Sequence, residues 1–380
     1  MLIGGMFDID VEHALSEPEN KSFVLECDHK GVYNRKFFTN NGRTATVLAL
    51  NNGIKIKHSD VILIPEYNCI SIINALSAAG ADYQFYKVKE GLIIDTDDIR
   101  NKMSDSVVAL YVIPYFGVPQ PKRIVDELIK ISKDYNVPII EDLTQALFTV
   151  ESGTIGFGDL IVSSTRKWFP MTDGGIVFVK DGMNFKTPEL KEEYDEAVYT
   201  QMFLAAARYY YGAKDVLDDD AYLNIERTAN SKRYLDFTPK AMTHISSNIF
   251  FQTDLKRLKS KRRENYTTLY ELLKDDENVQ IVGTSIVERP GIVPFGIQLI
   301  VNERDKLAAY LRYHKVIPEI QWVLPTQYYV PSEYALYMSE HSLMLQCDQR
   351  YGREEMEYTV KIIRQFFAES GDGCVRKDCR

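Results

Sequence analysis

Between Asp60 and Val179, short apolar runs alternate with longer runs that carry apolar residues at helical spacing. This alternation constrains the fold most. Strands apolar along their whole length must be buried on both faces, and helices that cross between them supply the cover. "VILIP" (Val61 to Pro65) reads as a buried strand, followed by a helix from about Ile70 that stops at Gly80 as a C-cap. "VVALYVIP" (Val107 to Pro114) repeats the strand signal. After it, "PKRIVDELIKISKDY" opens on proline and puts Ile124, Leu128 and Ile131 on one helical face. "VPIIED", "DLIVSS" and "GGIVFV" read as three more strands. The expected class is α/β, a large mixed or parallel sheet sandwiched by helices.

Past Lys180 the chain becomes charged and aromatic. Tyr209 to Gly212, "YYYG", fits packing between helices or stacking on a ligand, and the acidic run Asp218 to Asp220 fits a solvated loop. "ISSNIFFQTDLKRLKSKRRENYTTLYELL" reads as one helix leading into a smaller α+β unit. That unit would hold the strand "PFGIQLIV", a helix beginning near Glu303, and a last helix with Met356, Val360, Ile363 and Phe367 on one face. The expected division is residues 1–245 for the large domain with its N-terminal arm, 246–370 for the small one, and a disordered tail at 371–380.

The 380 residues carry a formal charge of −9, which disfavours nucleic acid and anionic membrane as partners. Five cysteines without a CxxC pair suit a reducing compartment, and six histidines without HExxH spacing give no support for a metal. The N-terminus lacks a basic, then apolar, leader pattern, and no apolar run is long enough to span a bilayer, so the cytoplasm is the expected location.

Four segments fall where such a sheet places its chemistry, at the carboxyl ends of strands. In "NNGRTATVLAL", Gly42 opens a helix whose N–H groups near Arg43 and Thr44 could hold a phosphate, although a glycine there also serves as a plain turn. In "IIEDLTQAL", Asp142 ends a buried strand three residues before Gln145; a carboxylate there needs a cation or several donors, or it caps the turn. In "PEYNCISIINAL", Tyr67 and Cys69 could form a pocket wall or pack in the core. In "SSTRKWFPMTDGG", Lys167 follows a strand and precedes Gly174 and Gly175, which let the chain turn back. A lysine held in a pocket loses its proton more readily and can attack an aldehyde.

In this chain order the segments resemble fold-type I pyridoxal-phosphate enzymes, and more closely the DegT/DnrJ/EryC1/StrS family of sugar aminotransferases. The resemblance runs from about Asn40 to Val179 and resumes in "RRENYTTLYELL" and "LMLQCDQRY". It implies that Lys167 joins the cofactor's aldehyde, that Asp142 faces the pyridinium nitrogen, and that Gln145 approaches the phenolic oxygen. Gly42, Arg43 and Thr44, with Ser163 and Ser164, would lie at the phosphate, and Tyr67 and Cys69 along the ring.

The chain departs from the family pattern at several points. Gly42-Arg43 stands where Gly-Thr is usual, Val162 where a phosphate-binding serine is usual, and Cys69 where an aromatic stacks on the ring. The loop from lysine to glycine is one residue short, and Pro239 to Ala241 replaces an Asn-Tyr-Arg given by a neighbouring subunit. The resemblance implies a homodimeric aminotransferase moving an amino group from a donor such as glutamate to a nucleotide-linked keto-sugar. Two alternatives stay open: another fold-type I reaction, such as a lyase on an amino acid, and a degenerate member that binds cofactor or nucleotide sugar in a regulatory role.

Overall fold

The computed structural model describes residues 2–5, 7–211, 224–225, 228–229, 231, 235–283, 286–327 and 329–371. The expectations for Gly212, for Asp218 to Asp220 and for the tail beyond Gly371 fall outside these residues.

The main sheet is built from β1 (Arg35–Thr39), β2 (Val61–Pro65), β3 (Asp82–Tyr86), β6 (Val107–Val112), β7 (Ile139–Asp142), β8 (Leu160–Ser163) and β9 (Gly175–Val179). Between β3 and β6, a short antiparallel ribbon is formed by β4 (Val88–Lys89) and β5 (Ile93–Ile94). The spatial order of the main sheet is β1-β9-β8-β7-β6-β2-β3. Neighbours from β8 to β3 are parallel, whereas β9 runs antiparallel to both β8 and β1. Strand β1 is absent from the sequence reading because "RKFFT" is only half-buried and carries two charges, as suits an edge strand.

Alternation along each strand sends side chains to two apolar layers. Leu63, Leu110 and Val112 face one layer with Ile124, Leu128 and Ile131 of a helix, while Ile62, Ile64, Ala109 and Tyr111 face the other. The helices of this part are α1 (Val11–Leu15), α2 (Gly42–Gly53), α3 (Ile70–Ala78), α4 (Thr96–Lys102), α5 (Lys122–Tyr135) and α6 (Glu196–Tyr211). Helix α2, with Ala45, Leu48 and Ala49 fully packed, belongs to the second layer.

The long helix expected after Ile245 is two helices, α7 (His244–Gln252) and α8 (Leu255–Leu273). Asp254 breaks it by capping: its side chain accepts the Arg257 N–H at 3.0 Å, which starts a new helix instead of extending the old one. The expected boundary at 245/246 lies inside α7, whose Ile249 and Phe250 are buried in the large core. Beyond α8, an antiparallel sheet orders β10 (Gln280–Val282), β11 (Ile297–Ile300) and β12 (Ser342–Leu345). It packs with α9 (Arg304–Tyr313) and α11 (Arg353–Gly371) around Leu269, Leu299, Leu307 and Ile363, while Ala335 and Met338 of α10 (Glu333–His341) belong to the large core. Among the described residues, no helix is long and apolar enough to cross a membrane.

Candidate active site

One cavity opens where the parallel strands β6, β7 and β8 end, the position at which an α/β sheet exposes strand-end side chains to a ligand. Its wall includes Gly42 and Arg43 from the start of α2, Cys69 before α3, and Asp142 and Gln145 after β7. Ser164, Arg166 and Lys167 complete it from the turn after β8.

Asp142 is held by two donors. The Thr144 N–H reaches Oδ1 at 2.8 Å, and the Tyr111 hydroxyl reaches Oδ2 at 2.7 Å. The residue is therefore both the cap of its turn and part of the cavity wall. Register explains the second contact: Tyr111 sits beside Ile140 on the neighbouring strand, and Asp142, two residues on, shares that face. Burial, and then the Asp142 carboxylate, push the Tyr111 phenol well above its ordinary range, so it stays a proton donor. Gln145 is buried and committed at both ends. Its Oε1 accepts the Phe116 N–H at 2.9 Å, and its Nε2 donates to Gln321 Oε1 at 2.5 Å. That second bond ties the chain before Trp322, another wall residue, to the end of the large sheet.

Lys167 ends a single 3-10 turn, Thr165–Lys167. Its amine makes no hydrogen bond or ion pair with another described residue. The adjacent Trp168 and Phe169 anchor this turn, since both are fully buried and Trp168 Nε1 donates to the Thr144 carbonyl at 2.9 Å. The two glycines that follow do more than turn the chain. A Cβ on Gly175 would lie 2.3 Å from the Asn41 carbonyl oxygen, and one on Gly174, whose φ is +133°, would lie 2.4 Å from Thr165 Oγ1. The Gly174 N–H bonds to the Asn40 carbonyl at 2.8 Å, so the lysine turn and the start of α2 are held against each other. Asp173, just before them, accepts from the Thr243 N–H at 2.8 Å and from the Thr243 hydroxyl at 2.7 Å, which fixes the start of α7.

Three expected site residues support the wall from behind and do not line the cavity. Thr44 is buried, and its hydroxyl donates to Asn40 Oδ1 at 2.6 Å. Tyr67 is fully buried, with its hydroxyl donating to the Gln321 carbonyl and its ring 5.3 Å from that of Trp322. Ser163 is buried and donates to the Leu143 carbonyl at 3.3 Å. The amides at the start of α2 also differ from expectation. The N–H groups of Arg43 and Thr44 are not free, because Asn41 Oδ1 accepts both, at 3.0 and 3.1 Å.

The sequence reading missed Tyr111, Arg166 and Trp322. Tyr111 was legible as a polar group near a strand end, and Arg166 as a second cation beside Lys167. Trp322 lies in a stretch without regular structure, and nothing local points it at the cavity.

Comparison with known proteins gives a family match for part of the chain. Residues 28–194 match the DegT/DnrJ/EryC1/StrS aminotransferase family. The segment 28–194 belongs to that family. Solved structures share the fold well beyond it. The Helicobacter pylori aminotransferase PseC, involved in the biosynthesis of pseudoaminic acid, superposes with a TM-score of 0.69 at 14% identity, covering 97% of this chain and 100% of its own. The aminotransferase TlmJ from Streptoalloteichus hindustanus gives 0.67 at 16%, over 98% and 100%. The Escherichia coli GDP-4-keto-6-deoxy-D-mannose-3-dehydratase, determined with bound hydrated pyridoxal phosphate, gives 0.60 at 16%, over 87% of each chain.

Pyridoxal phosphate is the cofactor of this family, and the cavity's own residues suit it. An amine with no committed partner, Lys167, shares the cavity with a carboxylate, Asp142, that is oriented by two donors. Gly42 and Ser164 lie close together in the cavity wall, which also includes Arg43 and Arg166. Gly42 permits this closeness, since a Cβ there would lie 2.8 Å from Ser164 Cβ. Among the described residues there is no cluster of three or more His, Cys, Asp or Glu suited to a metal ion.

Proposed function

We propose that this chain is a pyridoxal-phosphate-dependent aminotransferase, taking an amino group from an amino acid such as glutamate and delivering it to a nucleotide-linked keto-sugar. The observation that carries this reading is the single cavity shared by Lys167, Asp142, Gln145 and the start of α2.

Bound there, the cofactor supplies an electron-accepting ring that stabilises negative charge at the carbon losing its proton. The rest is the work of named side chains. Asp142, fixed by Tyr111 and Thr144, would keep the ring nitrogen protonated. Gln145, whose amide is immobilised by Phe116 and Gln321, would stand at the oxygen-bearing edge of the ring. Lys167 would hold the cofactor and, once released, carry a proton between two carbons on the same face. Its turn is set against the buried Trp168, so the amine works from a fixed base.

The acceptor class is supported by the aminotransferase family match. The homodimer, with the active site at the subunit interface, and the cytoplasmic location belong to the same proposal. So does a division into a large cofactor-holding unit and a smaller C-terminal one.

The purified protein should be yellow, and borohydride should fix the cofactor on Lys167. Glutamate should convert the bound cofactor to its aminated form with release of 2-oxoglutarate. A colourless protein that takes up no added pyridoxal phosphate would overturn the proposal.

A further inference from the structure

Two adjacent residues just past the carboxyl end of β2 hold the two ends of one distant segment. The Tyr67 hydroxyl donates to the Gln321 carbonyl, where the stretch 321–332 begins. Glu66 takes its far end. Oε2 accepts the Ser332 N–H at 2.8 Å, Oε1 accepts the Ser332 hydroxyl at 2.6 Å, and the Glu66 carbonyl accepts the Tyr329 hydroxyl at 2.5 Å. Between these two holds lies Trp322, which lines the cavity.

The Glu66 carboxylate is buried, and its third donor is the Val88 N–H of β4, at 3.0 Å. A buried carboxylate that loses such donors is costly. Two of the three donors belong to Ser332, so the charge beyond β2 is fully satisfied when Ser332 is seated on it. Ser332 passes this hold on to the tryptophan. Its hydroxyl oxygen caps α10 by accepting the Ala335 N–H at 3.2 Å. About two turns along the same helix, Ser339 donates its hydroxyl to the Trp322 carbonyl at 2.8 Å and accepts the Leu324 N–H at 3.1 Å. The helix is also tied to the β4–β5 ribbon, where the Gly91 N–H reaches the Tyr334 hydroxyl at 2.9 Å. Trp322 itself is half-buried, its ring centre 5.3 Å from that of Tyr67 and 6.2 Å from that of Tyr115.

We propose that Glu66 is a positioning residue: by seating Ser332 it closes the 321–332 segment on the large sheet and, through α10, keeps Trp322 as a fixed wall against which substrate binds. This rests on the proposed function, under which Lys167, Asp142, Gln145 and the start of α2 hold the cofactor and Trp322 is left to face the substrate. Loosening the wall removes contacts made alike in the ground state and the transition state, so it raises the substrate concentration needed more than it slows the chemistry.

The test uses Glu66→Gln, Ser332→Ala and Ser332→Thr, each loaded with pyridoxal phosphate. In either orientation the new amide would aim its NH2 at a backbone N–H, that of Ser332 or that of Val88. Acrylamide quenching reports Trp322, because Trp168, the other tryptophan, is fully buried. Quenching should rise in Glu66→Gln, rise less in Ser332→Ala, and stay near wild type in Ser332→Thr, which keeps the hydroxyl. The glutamate concentration for half-maximal conversion of the bound cofactor should rise about tenfold in Glu66→Gln, as for loss of a charge-assisted hydrogen bond. Its maximal rate and its affinity for pyridoxal phosphate should stay near wild type, which also shows that the variant is folded. Unchanged glutamate dependence would overturn the inference whether or not quenching rises, and so would unchanged quenching. If Glu66→Gln does not fold, Ser332→Ala decides by the same two readouts. A wild-type protein that takes up no pyridoxal phosphate would overturn the proposed function, while quenching, which needs no cofactor, would still decide whether Glu66 holds Trp322.

Discussion

The Tyr111 hydroxyl and Oδ2 of Asp142 are 2.7 Å apart, across two parallel strands of the main sheet. The phenol is fully buried and holds its proton tightly, so it acts as a fixed donor aimed at the carboxylate. Replacing it by phenylalanine leaves Asp142 with the Thr144 N–H as its other protein donor. A hydrogen bond to a charged group contributes about 1.5–3 kcal/mol. For Tyr111→Phe we therefore expect a folded protein whose kcat/KM for transamination is about 10- to 100-fold lower. Wild-type kinetics would show that this hydroxyl does not help orient Asp142.

Gly175→Ala tests the contact that joins the lysine turn to the start of α2. The added methyl would sit 2.3 Å from the Asn41 carbonyl oxygen and 2.7 Å from Thr39 Oγ1, inside a fully buried strand end. The Asn41 oxygen is a backbone atom and cannot retreat without shifting the start of α2, next to the β1–β9 pairing in which Thr39 faces Gly175. We expect a loss of about 2–4 kcal/mol in urea unfolding, in the range of severe overpacking. An unmoved midpoint would mean that the start of α2 is not pinned against this strand.

Buried Glu141, beside Asp142 but on the other face of β7, gives a stability expectation with a definite sign. Burial pushes its carboxyl up from 4.5 to about 7, opposed by the N–H groups of Gly156, Phe157 and Gly158, at 3.0, 2.8 and 2.9 Å. Because the folded value is the higher one, the folded protein binds the proton more tightly than the unfolded chain between these values. The stabilisation is full below pH 4.5 and is lost as pH rises through 7. The stability difference between the wild type and Glu141→Gln should shrink by about 3 kcal/mol between pH 4.5 and pH 8. Denaturant titrations of both proteins at those pH values measure it, and a constant difference would show that Glu141 does not titrate in this range.

The interior strands of the sheet were legible because β2, β6, β8 and β9 are apolar over most of their length and β7 opens on two isoleucines, and burial on both faces leaves that mark in sequence. Edge strand β1 carries no such mark, and the ribbon β4–β5 is too short to show a period. Within the site, Lys167 and Asp142 were readable as charged residues placed where apolar strands stop. Hydroxyl groups were harder to place. Thr44, Tyr67 and Ser163 occur in the right segments, but a hydroxyl is equally satisfied by a backbone carbonyl or a neighbouring side chain, and all three turn to such partners. The split between α7 and α8 could have been read from Thr253-Asp254, since an aspartate just before a leucine-containing run is a helix-start signal.

Arg262 of α8 connects the C-terminal part of the chain to the lysine turn. It is buried, and its guanidinium carbon lies 4.4 Å from the centre of the Trp168 ring. It donates to the Phe295 carbonyl at 3.0 Å and to Gln349 Oε1 at 3.1 Å. Gln349 in turn donates to the Trp168 carbonyl at 2.6 Å, so both the ring and the backbone of the residue after Lys167 are held from this side. Burial lowers the guanidinium's pKa from its ordinary value, while the Asp348 carboxylate opposes that shift. Arg262→Met would fill similar space but leave the Phe295 carbonyl and Gln349 without that donor, at an expected cost of about 2–4 kcal/mol. Arg262→Lys keeps the charge but not the flat face against the indole, so it should recover only part of the loss. With just two tryptophans in the chain, a Trp322→Phe background makes Trp168 the sole reporter. In that background the emission of Trp168 should shift on loss of the guanidinium, and the rate of borohydride fixation at Lys167 should change with it. A Met variant with unchanged emission and unchanged fixation would show that Arg262 holds the small sheet without positioning the lysine.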